Sequence, residues 1–118
     1  MNHVVIYNLL EEDMTDERVE KIEKVITDVV AQSEEIRPSP ELSFTFLHDP
    51  TVKSDDIPVV IIVELICDDS FESANWLKNR IAMHIGQDFR KAVRAWREVG
   101  KVKVGVNFRH HNNGYYAS

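Results

Sequence analysis

The pattern of apolar and polar positions describes one unit twice: a strand, an amphipathic helix and a second strand. In the first copy, an apolar stretch at 3–7 and an alternating stretch at 42–47 enclose a segment with helical spacing. In the second copy, strands at 59–63 and 102–108 enclose a longer helical stretch. Two such βαβ units predict an α/β (α+β) fold, in which a four-stranded mixed sheet carries its helices on one face.

The first helix is well marked in the sequence. Thr15 can cap its amino terminus, and Asp16 and Glu17 place negative charge in the first turn, where the helix dipole favours it. The helix must end before Pro38, because a proline disfavours helical dihedral angles in the residue before it. The predicted core-facing stripe, with spacings of three and four, consists of Val19, Ile22, Ile26, Val29 and Val30.

The second copy has a more continuous run of apolar residues. The β-branched run 59–62 predicts a strand in the middle of the sheet with both faces buried. Asp69 and Glu72 are typical of a capping box for the second helix, which Gly86 is expected to interrupt. Residues 87–98 then predict a further helix or a bent continuation.

In the last strand, apolar residues alternate with polar residues and glycine, as expected of a strand that buries one face. Its predicted inward residues are Val102, Val104, Val106 and Phe108, and its outward residues are Lys103, Gly105, Asn107 and Arg109. The tail that follows contains two adjacent aromatic residues, Tyr115 and Tyr116. Large aromatic side chains gain stability by burial, so we expect this tail to pack on a protein surface.

Length and charge limit the function classes. We expect residues 1–118 to form one domain with a pseudo-repeat at 1–50 and 57–118, and a core this small favours oligomerisation. The net charge of −6 argues against a general nucleic-acid binder, which needs clustered positive charge. The charge is uneven, since residues 1–60 contain 14 acidic and 5 basic side chains (−9) and residues 61–118 contain 6 and 9 (+3).

Cysteine usage and the amino terminus predict a cytoplasmic protein. Cys67 is the only cysteine, which excludes an internal disulfide and favours a reducing compartment. The first residues lack the basic and apolar regions of a signal peptide. The longest apolar run, 57–67, is too short to span a bilayer as a helix and contains Glu64, so we expect no membrane interaction.

The sequence offers no signature of a metal or cofactor site. His110 and His111 are neighbours that would point to opposite faces of a strand, so they cannot chelate one ion together. We therefore predict neither a metal nor a cofactor. A basic series with helical spacing predicts a positive ridge, which is either a solvated face or a binding surface for an anion. The ridge consists of Arg90, Arg94, Arg97 and Lys101.

Several short strings resemble the tautomerase superfamily, which includes macrophage migration inhibitory factor and small bacterial relatives. They lie at the boundaries of the two units: Met1-Asn2-His3-Val4, Phe44-Thr45-Phe46, Pro58-Val59-Val60, and Val106-Asn107-Phe108 followed by Gly114-Tyr115-Tyr116. Through the order of its elements, the resemblance covers nearly the whole chain. It implies a subunit of two βαβ units that assembles as a homotrimer.

The resemblance also implies an altered function. In the family, an amino-terminal proline exposed by removal of the initiator methionine acts as a general base, and this sequence has Asn2 at that position. The resemblance therefore implies a degenerate or non-catalytic trimer that binds a small anionic oxo-acid. Whether any enzyme activity remains is open at this point. The candidate ligand-binding residues are Asn2, His3, Asn107 and Arg109.

A second interpretation has the same order of elements. A ferredoxin-like βαββαβ module would bind a ligand or partner without catalysis. Parallel pairing within each βαβ unit favours the tautomerase-like arrangement, whereas adjacent outer strands from different halves favour the ferredoxin-like one. The strand order of the sheet therefore decides between them.

Overall fold

The structure, a computed structural model, describes residues 2–33, 36, 41–48, 57–67 and 74–110. The elements of this part follow the predicted order. They are β1 (Asn2–Tyr7), a 3-10 turn (Glu11–Asp13), α1 (Asp16–Ala31), β2 (Leu42–Leu47), β3 (Val59–Cys67), α2 (Asn75–Val93) and β4 (Val102–His110). The predicted capping box at Asp69 and Glu72 and the tail with Tyr115 and Tyr116 lie outside the described residues.

The strands form one mixed sheet in the order β2-β1-β3-β4. β1 pairs with β2 in parallel, β3 pairs with β4 in parallel, and an antiparallel pairing of β1 with β3 joins the two halves. Each half of the sequence is thus a βαβ unit whose strands are neighbours. This pairing confirms the predicted α+β fold. The ferredoxin-like alternative is wrong, because in that arrangement each outer strand would pair with a strand from the other half of the sequence.

The hydrophobic core lies between the helices and one face of the sheet. Thr15 caps α1 as predicted, because its side chain accepts a hydrogen bond from the Arg18 N–H. The apolar stripe of α1 is also confirmed, with Val19 only partly buried at its edge. Fully buried residues from both helices and from the two central strands include Val4, Ile6, Ile22, Ile26, Ile61, Val63, Leu65, Ile81, Ile85 and Phe89.

α2 is one continuous helix, so the expected interruption at Gly86 is wrong. The neighbouring residues Ile85 and Phe89 are fully buried, and this packing offsets the weak helix preference of glycine. A Cβ atom at position 86 would lie 3.6 Å from Val104 Cγ2, which places the helix backbone close to β4.

The predicted basic ridge is wrong, because its members do not share one helix. Arg90 lies in α2, and Arg94 is the carboxyl-terminal cap of that helix. Arg97 lies in the bend that follows, and Lys101 lies just before β4. The α-helix ends at Val93, and residues 94–97 continue as hydrogen-bonded turns from which the side chains of Trp96 and Arg97 reach Asp13. The predicted helical segment 87–98 is therefore α-helical only to Val93, and long-range hydrogen bonds from Trp96 and Arg97 hold the turns that follow.

A buried ion pair holds this bend against the turn that precedes α1. Asp13 is fully buried, and Arg97 donates hydrogen bonds from Nε and Nη2 to its two carboxylate oxygens at 2.8 and 2.7 Å. The Trp96 indole N–H donates to the same carboxylate at 2.8 Å, and the Leu10 N–H donates at 2.9 Å. Asp13 is therefore a buried charge with several hydrogen-bond donors, and it joins the two halves of the sequence.

The pKa of Asp13 reflects two opposing effects. Burial alone raises the pKa, because it disfavours the charged carboxylate. The hydrogen bonds from Arg97, Trp96 and Leu10 and the charge of Arg97 outweigh burial and leave the pKa below its ordinary value. A carboxylate whose folded-state pKa is lowered stabilises the fold above its unfolded-state pKa of about 3.9. That stabilisation is lost as the pH falls through the folded-state pKa.

We predict that Asp13→Asn lowers the free energy of unfolding at pH 7 by about 3–5 kcal/mol, because Arg97 loses its partner charge in a buried position. Urea denaturation followed by circular dichroism measures the loss. The difference between wild type and variant should shrink as the pH falls from about 4 towards the lowered folded-state pKa of Asp13, because the unfolded wild-type chain takes up a proton in this range that the folded form does not.

The control for this prediction is Asp28→Asn, which removes an exposed ion pair with Lys24 in α1. Exposed pairs of this kind contribute less than about 1 kcal/mol, so the control should unfold nearly like the wild type. If Asp13→Asn and Asp28→Asn lost equal amounts of unfolding free energy, the buried ion pair would contribute no more to stability than the exposed one. A difference that stays constant down to about pH 2 would contradict the role of the ionised carboxylate.

Candidate functional site

The face of the sheet opposite the helices, here called the open face, is partly or largely exposed in the subunit. Strand alternation places every second residue on this face. β3 lies in the middle of the sheet as predicted, but only its helix-facing side is buried in the subunit. The open face comprises His3, Val5 and Tyr7 from β1, Ser43, Thr45 and Leu47 from β2, Val60, Ile62, Glu64 and Ile66 from β3, and Lys103, Gly105, Asn107 and Arg109 from β4.

Polar residues form one row across the open face. Ser43 on β2 is paired with His3 on β1. His3 is paired with Glu64 on β3, which is in turn paired with Asn107 on β4. We call Ser43, His3, Glu64 and Asn107 the polar row. Because neighbouring strands lie about 4.8 Å apart, the polar row crosses about 14 Å of the sheet.

His3 has a hydroxyl group on each side of its ring. Its Nδ1 atom lies 2.6 Å from Ser43 Oγ, and its Nε2 atom lies 3.3 Å from Thr45 Oγ1. A neutral imidazole has one donor and one acceptor nitrogen, and a hydroxyl can be either partner. The two contacts therefore orient the ring on the open face in either tautomer.

Arg109 lies beside the polar row, two residues beyond Asn107 on the same strand. Its Nη1 atom donates a hydrogen bond to Glu64 Oε2 at 3.2 Å, and the two side chains are 49% and 41% exposed respectively. Ion pairs with this exposure contribute little to stability, because water and salt screen them. Arginine has five N–H donors in a planar fork, so Arg109 can bind a second carboxylate while it contacts Glu64.

An apolar strip borders the polar row. Val5 and Ile62 are paired in the next row of the sheet, and both are partly exposed. Gly105 continues that row on β4, where a Cβ atom would come within 3.3 Å of Ile62 Cδ1. The absence of a side chain at Gly105 keeps the surface low between Ile62 and Asn107. Polar groups beside a small apolar surface are the usual composition of a small-molecule site.

Asn2 points to the other face of the sheet. It is 6% exposed, and its Oδ1 atom accepts a hydrogen bond from the Ile66 N–H at 2.7 Å. Its side chain thus satisfies a backbone donor where β1 begins beside β3. Of the four residues predicted to bind a ligand, the structure brings His3, Asn107 and Arg109 together on the open face and separates Asn2 from them.

The sequence interpretation missed three residues of this surface: Ser43, Thr45 and Glu64. The two hydroxyl residues are the polar positions of an ordinary alternating strand and carry no chemical signature of their own. Glu64 does carry a signal, because it is the only charged residue in the apolar run 57–67. A charge in a central strand needs an explanation that packing alone does not provide.

Two kinds of feature were sought in the part of the chain that the structure describes: clusters of metal-ligating side chains and membrane-spanning helices. Among those residues, no three His, Cys, Asp or Glu side chains are arranged to hold a metal ion. None of the helices described there has the length and apolar character needed to cross a membrane.

Solved structures of low sequence identity share this fold. A fused 4-OT, described as a wild-type asymmetric trimer, has a TM-score of 0.65 at 16% identity, covering 93% of this chain and 88% of that chain. N1, a member of the cis-3-chloroacrylic acid dehalogenase family, has a TM-score of 0.66 at 12% identity, covering 94% and 77%. MIF2 from Leishmania major has a TM-score of 0.62 at 11% identity, covering 92% and 89%.

The three similar proteins are members of the tautomerase superfamily. The chain has a tautomerase-like fold. No protein-family model matches the sequence, and no curated protein matches it. Because one fold hosts many functions, the function of this tautomerase-like chain has to be argued from its own side chains.

We predict that Asn2→Ala destabilises the tautomerase-like fold by about 1–3 kcal/mol, because the Ile66 N–H loses its acceptor in a partly buried position. Thermal unfolding followed by circular dichroism measures the change. Asn107→Ala is the matched control, since Asn107 is exposed, and it should change the stability by less than about 0.5 kcal/mol. If both variants were equally stable, the Asn2 side chain would not be needed for the junction of β1 and β3.

Proposed function

We propose that the protein is a homotrimeric, tautomerase-like binding protein for a small oxo-acid and that it lacks efficient catalysis. The observation that carries this proposal is the polar row with Arg109 beside it, on the open face of a tautomerase-like sheet. This surface combines a guanidinium, an amide, an imidazole and hydroxyl groups within one band.

These groups match the chemistry of an oxo-acid. A carboxylate binds well to arginine, because the planar guanidinium offers paired N–H donors to both oxygens. A carbonyl oxygen needs a further donor, which the amide of Asn107 can supply. Val5 and Ile62 offer apolar surface to the carbon chain. One similar structure belongs to a family named for a chloroacrylic acid, which supports a small carboxylic acid as the ligand class.

The expected loss of catalysis rests on Asn2. The resemblance assigns the general base to the secondary amine of an amino-terminal proline, and asparagine has no such amine. The Asn2 side chain has a structural role instead, since its oxygen accepts a hydrogen bond from the Ile66 N–H. A side-chain amide is not basic at neutral pH, so Asn2 cannot replace the proline by this route.

The proposed trimer rests on the apolar end of the open face. Tyr7 and Leu47 are adjacent on β1 and β2 and are 38% and 47% exposed, and Val60 continues the same row on β3. An exposed apolar surface on a small domain favours association. The fused 4-OT is described as a trimer, which supports the same assembly here. We expect subunit contacts at this apolar end and ligand binding at the polar row.

We predict that the wild-type protein elutes with about three times its subunit mass of 13.7 kDa in size exclusion coupled to light scattering. Leu47→Glu should lower that mass, because it places a charge in the apolar row that is buried by association. Gln87→Glu makes the same change of charge on an exposed site of α2 and is the control. A wild-type monomer at micromolar concentration would contradict the trimer, and loss of assembly in both variants would contradict the location of the contact.

We predict that phenylpyruvate binds to the protein and is not efficiently tautomerised. Arg109→Met should weaken binding by about tenfold to a hundredfold, because the carboxylate loses its charged hydrogen-bond partner. Lys103→Met removes an equal charge from the same strand and face and should weaken binding much less. Isothermal titration measures affinity, and ultraviolet absorbance measures keto–enol conversion.

The outcomes of this experiment separate the parts of the proposal. Equal effects of the two methionine variants would contradict a specific role of Arg109. Turnover by the wild type would contradict the loss of catalysis, and His3 would then be the first residue to test as a base. Asn2→Pro, with removal of Met1 verified by mass, tests whether the rest of the site can support tautomerisation. If it stays inactive, the open face has diverged from a catalytic pocket.

A further inference from the structure

Glu64 is an anion at the centre of a surface proposed to bind anions. It lies on a central strand, paired with His3 on one side and Asn107 on the other. Among the strand residues described on the open face, it is the only acidic side chain. A carboxylate in this position weakens the attraction of the surface for every negative group that comes near it.

The fold does not explain this carboxylate. Its side chain is 41% exposed, and its ion pair with Arg109 is formed through one hydrogen bond of 3.2 Å. A pair with that exposure contributes little to stability. The buried Asp13, by contrast, has donors on both carboxylate oxygens and a clear structural role. The role of Glu64 is therefore sought in ligand binding.

We propose that Glu64 is a specificity-determining residue that admits oxo-acids with one carboxylate and rejects those with two. This inference rests on the proposed oxo-acid site. A single ligand carboxylate binds the outer N–H groups of Arg109 while Nη1 keeps its hydrogen bond to Glu64. The rest of the ligand then extends over the apolar strip of Val5 and Ile62 or along the polar row.

Because of the strand register, a second negative group that binds to the polar row comes close to Glu64. Of the other residues of the polar row, His3 and Asn107 are direct neighbours of Glu64, and only Ser43 lies further away, two strands from Glu64 and beyond His3. Both ring nitrogens of His3 already contact hydroxyl groups of β2, so the available donor is the Asn107 amide, whose strand lies about 4.8 Å from that of Glu64. Like charges at such a distance repel each other even in a partly exposed site. A neutral carbonyl or alkyl group in the same place meets no such repulsion.

The test compares 2-oxobutyrate, which has one carboxylate, with 2-oxoglutarate, which has two. Chemical-shift titration gives the dissociation constants of both ligands for the wild type, Glu64→Gln and Glu20→Gln. Glu64→Gln keeps the shape and the exposed position of the side chain, so folding should be unaffected. Glu20→Gln removes the same charge from an exposed position on α1 and controls for the change in net charge.

The wild type should bind 2-oxobutyrate more tightly than 2-oxoglutarate. Glu64→Gln should tighten binding of 2-oxoglutarate by about tenfold and that of 2-oxobutyrate by about threefold or less, so that the preference narrows or reverses. Glu20→Gln should leave the ratio of the two constants unchanged. This result supports selection by Glu64.

Two other outcomes have different meanings. If the wild type binds both ligands and Glu64→Gln leaves their ratio unchanged, the role of Glu64 in specificity is overturned, while the proposed oxo-acid site stands. If neither the wild type nor Glu64→Gln binds either ligand at millimolar concentration, the proposed function itself fails, and the selectivity assigned to Glu64 fails with it.

Discussion

The antiparallel pairing of β1 with β3 is the constraint on which the rest of this structure depends. Each βαβ half has its own parallel pair, and only this central pairing makes one sheet of the two. Its register places Val4 opposite Val63 and Ile6 opposite Ile61, so both strands turn their most apolar side towards the helices. A shift by one residue would expose this set, which is why burial specifies the register so strongly.

The same register builds the open face. Once Val4 and Val63 are paired beneath the helices, His3 and Glu64 must be neighbours on the other side. The parallel pairs then add Ser43 and Asn107 at the two ends and complete the polar row. The pairing of β1 with β3 thus sets both the core, on one side of the sheet, and the candidate site, on the other. A change in its register would disrupt both.

The two ends of the sheet are stabilised in different ways. Beyond the carboxyl end of β1, the buried Asp13 and Arg97 tie the halves together with several short hydrogen bonds. Among the described residues at the amino end of β1, the halves are joined by a single side-chain hydrogen bond, which the Ile66 N–H donates to Asn2. The polar row lies at this second end, where its side chains are partly or largely exposed. Sites that bind ligands generally need polar groups that are accessible and not fully engaged with the protein.

The elements, their order and the inward face of each could be predicted from the sequence, because those features follow from local periodicity. The α1 stripe, the cap at Thr15 and the alternation of β4 were all predicted correctly. The outward positions of Asn107 and Arg109 followed from the same alternation. Local pattern was a poorer guide at Gly86, where packing against β4 overrides the preference of a single residue.

The contacts between residues on different strands and loops could not be predicted in this way. The contact of His3 with Ser43 spans 40 residues, and that of Asp13 with Arg97 spans 84. Such pairs depend on register and chain path, which no local pattern encodes. The structure also separated Asn2 from His3, since adjacent residues on a strand face opposite sides of the sheet. The sequence therefore determined the layers of the fold, whereas long-range pairing decided the composition of the candidate site.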